Sequence, residues 1–232
     1  MKSSFAVKKI LILVTILAVP GFLYYLLQDK GKNRYHPLSY FGPKQVANTF
    51  HTKRGKKIPD TLYHAISDFK LVNQKGDSIS FTADSNKITV VNFFFTRCPS
   101  FCRSMNKEMS RVAETYQRNN FLRFLSISVD PDFDTPSVLL DYSNSYNTSG
   151  KWNFLTGNKD FIYKLSRQDF LVDALQDTSR SNNFIHSSML ILLDTNKHIR
   201  GYYDSNSKEQ VDKLIDEIKV LITEELRNIK DR

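Results

Sequence analysis

Residues 88–95 read Ile-Thr-Val-Val-Asn-Phe-Phe-Phe, eight positions without a charge and dominated by β-branched and aromatic side chains. That is the composition of a strand buried on both faces, and a strand of this kind requires packed layers on either side of its sheet. The run leads directly into Thr96-Arg97-Cys98-Pro99-Ser100-Phe101-Cys102-Arg103, which holds the only two cysteines among 232 residues. If a helix opens at or just after Cys98, positions i and i+4 lie on one face with Cβ atoms roughly 5–6 Å apart, so both sulfurs can meet one ion. A helix amino terminus also favours thiolate over thiol, because its unpaired N–H groups and macrodipole stabilise negative charge. The pair is therefore suited to a soft metal or to thiol–disulfide exchange.

The elements around this loop follow from periodicity. Phe69 to Val72 and Ser78 to Phe81 flank Asn73-Gln74-Lys75-Gly76-Asp77, a hairpin signal. Met105, Met109, Val112, Ala113 and Tyr116 recur at helical spacing and give the cysteine-bearing helix an inward face. Phe121 to Val129 is a second buried strand, and Asp134-Thr135-Pro136 supplies a cap and a first-turn proline for a helix to about Tyr146. Trp152 to Leu155 then reads as a strand, Lys159 to Arg167 as a helix, and Ser188 to Leu193 and Ile199 to Tyr203 as strands around the turn Asp194-Thr195-Asn196-Lys197. Ser207 and Gln210 form a capping box for a last helix whose apolar stripe is Val211, Leu214, Ile215, Ile218, Leu221, Ile222, Leu226 and Ile229. Two antiparallel strands and a helix at the end of this α/β alternation predict a thioredoxin-like sandwich with an amino-terminal hairpin extension. A hydrophobic content of 41% is ample for one such domain plus appendages.

Ahead of the domain, residues 10–27 run eighteen positions without a charge, enough at about 1.5 Å each to span roughly 27 Å of hydrocarbon. This predicts one transmembrane helix after a short basic segment, 1–9. A cleaved signal peptide fits less well, since its apolar region is usually about 7–15 residues followed by a small-residue site. Residues 28–57 are polar, basic and broken by Pro37, Gly42, Pro43 and Gly55, and read as a tether to a domain covering 58–232. Lysines and arginines flank the apolar run on both sides, so charge alone does not decide its orientation. Residues 1–57 hold eleven Lys/Arg against one acid, leaving 22 bases and 23 acids in the rest. The net charge of +9 therefore sits in the leader, where lipid head groups are the partner, and a nucleic-acid face on the domain is excluded. The expected location is a bacterial inner membrane, single-pass, with the domain facing the periplasm.

Two thiolates leave a soft ion short of a ligand, and imidazole is a good further ligand for copper. Of the five histidines, His186, in Asn183-Phe184-Ile185-His186-Ser187-Ser188-Met189, leads into a buried strand within the domain and could lean onto the sulfurs. At this point the chain resembles the Sco/SenC copper-binding proteins associated with assembly of cytochrome c oxidase. The likeness runs from about Ile58 to Tyr203 through the Cys-x-x-x-Cys block, Ser128-Val129-Asp130-Pro131-Asp132-Phe133-Asp134-Thr135-Pro136, Trp152-Asn153-Phe154-Leu155-Thr156-Gly157, and His186-Ser187 before an apolar strand. The resemblance implies that Cys98, Cys102 and His186 bind one copper ion. It also implies a partner, the copper-bearing oxidase subunit or another copper chaperone. The chain departs from the pattern at Arg103, where the family usually has proline, and Arg97 stands before the first cysteine. Two cations here are expected to lower the thiolate pKa and to repel Cu²⁺ somewhat.

Other signals are weaker. Asp130, Asp132 and Asp134 mimic the start of a calcium loop, but Pro131 intervenes and Thr135 replaces the required glycine. Asn147-Thr148-Ser149 is a chance-level sequon, Asp173 and Asp177 could supply a carboxylate near the metal but read better as a solvated loop, and His36, His51 and His64 lie in or near the tether. Two functions follow. One is a metallochaperone that passes copper to an oxidase subunit by ligand exchange. The alternative is a thiol–disulfide oxidoreductase that keeps oxidase cysteines reduced, or a redox or copper sensor, with Cys98 and Cys102 as the redox pair. Three intervening residues rather than two, and helical Cβ spacing beyond the ~3.5–4.5 Å of a disulfide, favour the first.

Overall fold

The computed structural model describes residues 2–30, 37–53, 55–82, 86–146, 150–177 and 183–230, with side chains described outside 1–7, 10–11, 27–36, 53–54, 83–85, 147–149, 174–186 and 229–232. Residues 1–36 and Pro37–Arg232 form separate units. In the first, helix α1 covers Lys2–Lys30, and its side chains from Ile12 to Tyr25 are exposed. Among the described residues no helix is long and apolar enough to cross a membrane.

The second unit begins earlier than the sequence suggests. Strands β1 (Lys44–Lys53) and β2 (Lys56–Tyr63) pair as an antiparallel hairpin, so the expected tether over 28–57 is corrected: its second half is a sheet. Burial alternation is absent because both faces of the hairpin are largely open, which removes the signal that marks a strand in sequence. Upstream of it, Arg200 reaches back with hydrogen bonds to the carbonyl oxygens of Leu38 at 2.6 Å and Ser39 at 3.3 Å. The domain thereby incorporates residues 38 and 39.

Strands β3 (Lys70–Asn73) and β4 (Ser78–Ser80) form the expected hairpin, turning at Gly76 with φ +86°. The buried run is β5 (Ile88–Phe94), followed by α2 (Cys102–Thr115), β6 (Leu122–Ser128), α3 (Pro136–Ser143) and β7 (Trp152–Thr156). Helix α4 (Lys159–Lys164) continues into one π-helical turn over Leu165–Asp169. A third hairpin, β8 (Ala174–Asp177) with β9 (Asn183–His186), takes in Asp177, which reads from sequence as part of a solvated loop. Strands β10 (Met189–Leu193) and β11 (Ile199–Asp204) and helix α5 (Lys208–Lys230) complete the chain.

The central sheet has the order β11-β10-β5-β6-β7-β3-β4, with β5, β6 and β7 parallel and the remaining neighbours antiparallel. This is the thioredoxin-like α/β arrangement. Every residue of β5 and β6 is buried, as expected of parallel strands covered on both faces. On one face Phe94 packs on Tyr142 of α3, and on the other Phe93 meets Phe170 after the π turn at 5.3 Å. A buried polar ladder crosses the first face: Trp152 Nε1 donates to Ser126 Oγ at 2.9 Å and Ser126 Oγ to Asn92 Oδ1 at 2.6 Å. It continues as Asn92 Nδ2 donates to Asn106 Oδ1 of α2 at 2.8 Å, while Asn106 Nδ2 donates to the Tyr142 hydroxyl at 3.0 Å. Each side chain of this ladder thus has a partner, which avoids the cost of about 1–3 kcal/mol for an unsatisfied one, and the ladder fixes α2 over the sheet.

Candidate metal centre

The two cysteines sit where β5 gives way to α2. The helix begins at Cys102, not at Cys98, so the expectation that both sulfurs share one helical face is corrected. Pro99 supplies the reason: the residue before a proline is driven away from the helical region by the ring, which keeps Cys98 outside the helix. The Cys98 N–H instead turns back to the Phe95 carbonyl at 3.3 Å, and the first helical bond runs from Met105 N–H to Phe101 O at 2.8 Å. No side chain caps α2 at Phe101, so the positive end of the helix dipole faces the cysteine turn.

Both thiols are buried, Cys98 at 8% and Cys102 at 1% exposure, and no disulfide joins them. Their side chains are in hydrogen-bond contact, and this contact followed by burial drives the Cys102 pKa far above the ordinary thiol range, against a hydrogen bond from the Phe95 backbone that lowers it. Cys102 is therefore a neutral thiol in the metal-free state. Binding of a soft cation at the pair would have to release its proton, so affinity at this site is linked to pH. Ser100 Oγ lies 3.5 Å from Cys98 Sγ.

Neither Arg97 nor Arg103 is among the causes of the Cys102 shift. The Arg97 guanidinium pairs with Asp130 at 2.6 Å and lies 3.9 Å from the Phe133 ring centroid, so its charge is answered by a carboxylate. Arg103, on the first turn of α2, is exposed.

Asp134 is the residue sequence reasoning misplaced. Read as a helix cap, it instead accepts hydrogen bonds from the Thr96 N–H at 3.1 Å, the Thr96 hydroxyl at 2.5 Å and the Ser128 hydroxyl at 2.5 Å. The cap position of α3 falls to Thr135. Asp134 is fully buried, and desolvation raises its pKa above the ordinary 3.8. One carboxylate from the β6–α3 connection thus holds the β5 end of the cysteine loop. With Asp130 on Arg97 and Asp132 on Lys159 at 2.8 Å, the three aspartates serve three different partners rather than one cation. The signal was present in sequence as the spacing of Asp130 and Asp134, but nothing there says which way a buried carboxylate points.

His186 closes β9, its backbone paired with Ala174 across the hairpin; its side chain, like that of Asp177, lies outside the described residues, as does the sequon at 147–149. The backbone places its neighbourhood. β10 pairs antiparallel with β5 in the register Ile191↔Val91 and Leu192↔Val90, so β10 begins at the edge of the sheet where β5 ends and the cysteine loop starts. Among the described residues no group of three or more His, Cys, Asp or Glu is arranged to hold a metal ion. Among the described residues the other histidines are engaged elsewhere: His51 lies 2.7 Å from Asp60, His64 Nε2 2.6 Å from the Asp169 carbonyl, and His198 3.1 Å from Asp194.

Comparisons with known proteins converge on one family. The SCO1/SenC family model matches residues 59–223. A SCO2-like protein of Rickettsia typhi is 29% identical over 209 residues, covering 88% of this chain and 94% of its own. The crystal structure of a SCO1/SenC family lipoprotein from Bacillus anthracis superposes with a TM-score of 0.64 at 26% identity, over 68% of this chain and 95% of that one. Arabidopsis thaliana ScoI, solved with copper bound, shares the fold at a TM-score of 0.57 and 23% identity, over 67% of this chain and 99% of its own. The paired thiols at the end of a buried strand thus stand in a matched stretch that spans most of the folded domain, and the chain belongs to the SCO1/SenC family.

Proposed function

We propose that this protein is a membrane-anchored copper-binding protein that delivers copper to, or helps assemble, the copper site of cytochrome c oxidase. Cys98, Cys102 and His186 hold one ion, residues 10–27 anchor the chain in a bacterial inner membrane, and the domain faces the periplasm. The recipient is the copper-bearing oxidase subunit or another copper chaperone. The observation that carries the reading is the pair of unbridged, buried sulfurs in mutual contact, a donor set matched to Cu⁺, which prefers soft thiolates. Family membership and the copper-bound relative support it, and the register of β10 against β5 supports His186 as the third donor. A site of three protein ligands leaves a position open for an incoming ligand, which permits hand-over by exchange.

Copper titration of the reduced chain tests this. The wild type is expected to bind about one equivalent, Cys98→Ser to lose tight binding, and His186→Ala to weaken Cu²⁺ more than Cu⁺. Unchanged stoichiometry and affinity in all three would remove the site. The contact between the sulfurs also favours a second reading, a thiol–disulfide oxidoreductase in which one thiolate attacks and the other resolves. Turnover of the reduced, metal-free protein with a disulfide substrate, which leaves as a dithiol while Cys98 and Cys102 become a disulfide that an added dithiol reduces again, would promote it over delivery if Cys102→Ser abolished it.

A further inference from the structure

A hairpin of two strands is marginally stable at best when solvated on both sides, yet β1–β2 presents large apolar side chains to solvent on each face. Val46 and Phe50 pair with Thr61 and Pro59 and so share one face, at 75% and 62% exposure. Ile58 and Leu62 lie on the other at 38% and 56%. The turn joining the strands reads Lys53-Arg54-Gly55-Lys56-Lys57, four cations in five residues, and Asp60 is the only acid between residues 44 and 63. That acid is already engaged by hydrogen bonds from Thr49 and His51, which lower its pKa. A strongly basic tip directly ahead of exposed aromatic and aliphatic side chains is the pattern of an interfacial element: cations meet lipid phosphates while apolar groups enter the head-group boundary.

The occupant follows from chain connectivity. Residues 31–37 separate the end of α1 from Leu38, which Arg200 ties to the domain, a stretch that spans at most about 25 Å. A bilayer holding residues 10–27 would therefore keep the start of the hairpin close to its surface. From residue 58 onward bases and acids nearly balance, so the cationic excess lies in the segments nearest that bilayer. We propose that the β1–β2 hairpin is a second membrane-contact element, its basic turn drawn to an anionic phospholipid surface and Phe50 and Val46 entering the head-group region. The proposal rests on the reading of residues 10–27 as an anchor. It assigns the hairpin the task of limiting how far the copper-binding domain swings from the membrane surface.

The test uses the full chain carrying Phe50→Trp, reconstituted into phosphatidylcholine–phosphatidylglycerol vesicles that contain brominated acyl chains. Trp152, the only tryptophan, is buried at 1% exposure, so the parent chain supplies an unquenched baseline and a check on folding. Bromolipid is expected to quench the introduced indole. Lys56→Glu with Lys57→Glu in that background should remove most of the quenching, as should replacement of phosphatidylglycerol by phosphatidylcholine. Quenching no greater than in the parent chain overturns the proposal, and quenching indifferent to both charge changes overturns the recognition of anionic lipid. Flotation of the chain with the vesicles separates the two readings. Flotation without quenching leaves the anchor and ends the hairpin proposal. Flotation that needs phosphatidylglycerol and is lost on charge reversal leaves the hairpin and ends the anchor. No flotation ends both.

Discussion

Replacing Asp134 by alanine isolates the carboxylate that holds the cysteine loop. Three donors converge on it, the N–H and hydroxyl of Thr96 and the hydroxyl of Ser128, at 3.1, 2.5 and 2.5 Å, and hydrogen bonds to a charged group are worth about 1.5–3 kcal/mol each. The hydroxyls can rotate toward other acceptors, so the backbone N–H of Thr96 is the donor left without recourse. The expected loss is about 1–3 kcal/mol, the cost of a buried donor left unsatisfied. Urea unfolding of the reduced, metal-free chain, followed through Trp152 emission, measures it. The pH dependence has a definite sign. Burial raises the native pKa of Asp134 above the ordinary 3.8, so the native state binds the proton more tightly than the unfolded chain does. The stability this shift confers is full below about 3.8 and is lost as pH rises through the raised native value. The cost of Asp134→Ala should therefore be largest in acid and shrink toward neutrality. A loosened loop should also speed reaction of the thiols with Ellman's reagent. A loss under about 1 kcal/mol, or a cost that grows with pH, would refute this account of the loop.

Gly201 faces the ring of Tyr203, and a Cβ built there would stand 2.5 Å from its Cζ; because Tyr203 is buried and bound to Glu217, Gly201→Ala should destabilise by at least about 2 kcal/mol in the same assay. Arg200, 1% exposed at its side chain, lies 3.2 Å from Asp194 and 2.8 Å from Glu224. Arg200→Met strands a buried carboxylate at a cost of about 3–5 kcal/mol and frees residues 38–39, which limited proteolysis should report as new cleavage ahead of β1.

What the sequence disclosed depended on how each element is buried. Ile88 to Phe94 and the stripe from Met105 to Ala113 carry their burial in their composition, and both lie as read. The β1–β2 hairpin escaped because its apolar residues face water on both sides, and the β8–β9 hairpin because strands of four residues each, Ala-Leu-Gln-Asp and Asn-Phe-Ile-His, are too short to show a period. The start of α2 was legible in principle, since Pro99 already argues against a helical Cys98. The role of Asp134 was not, because it depends on a contact with Thr96 across 38 positions of chain.

The cysteine pair joins two mountings of unequal stiffness. Cys102 belongs to a rod clamped to the sheet through Asn106, whereas Cys98 rides on a short strap tied down at Thr96 by a side chain from a different crossover. Changes in the gap between the sulfurs are therefore absorbed by the strap alone, over residues 97–101, while the rod and the layers beneath stay in register. The spacing of the two sulfurs is thus governed from the β6–α3 connection, so substitutions there would alter it while Asn106 still holds α2 to the sheet.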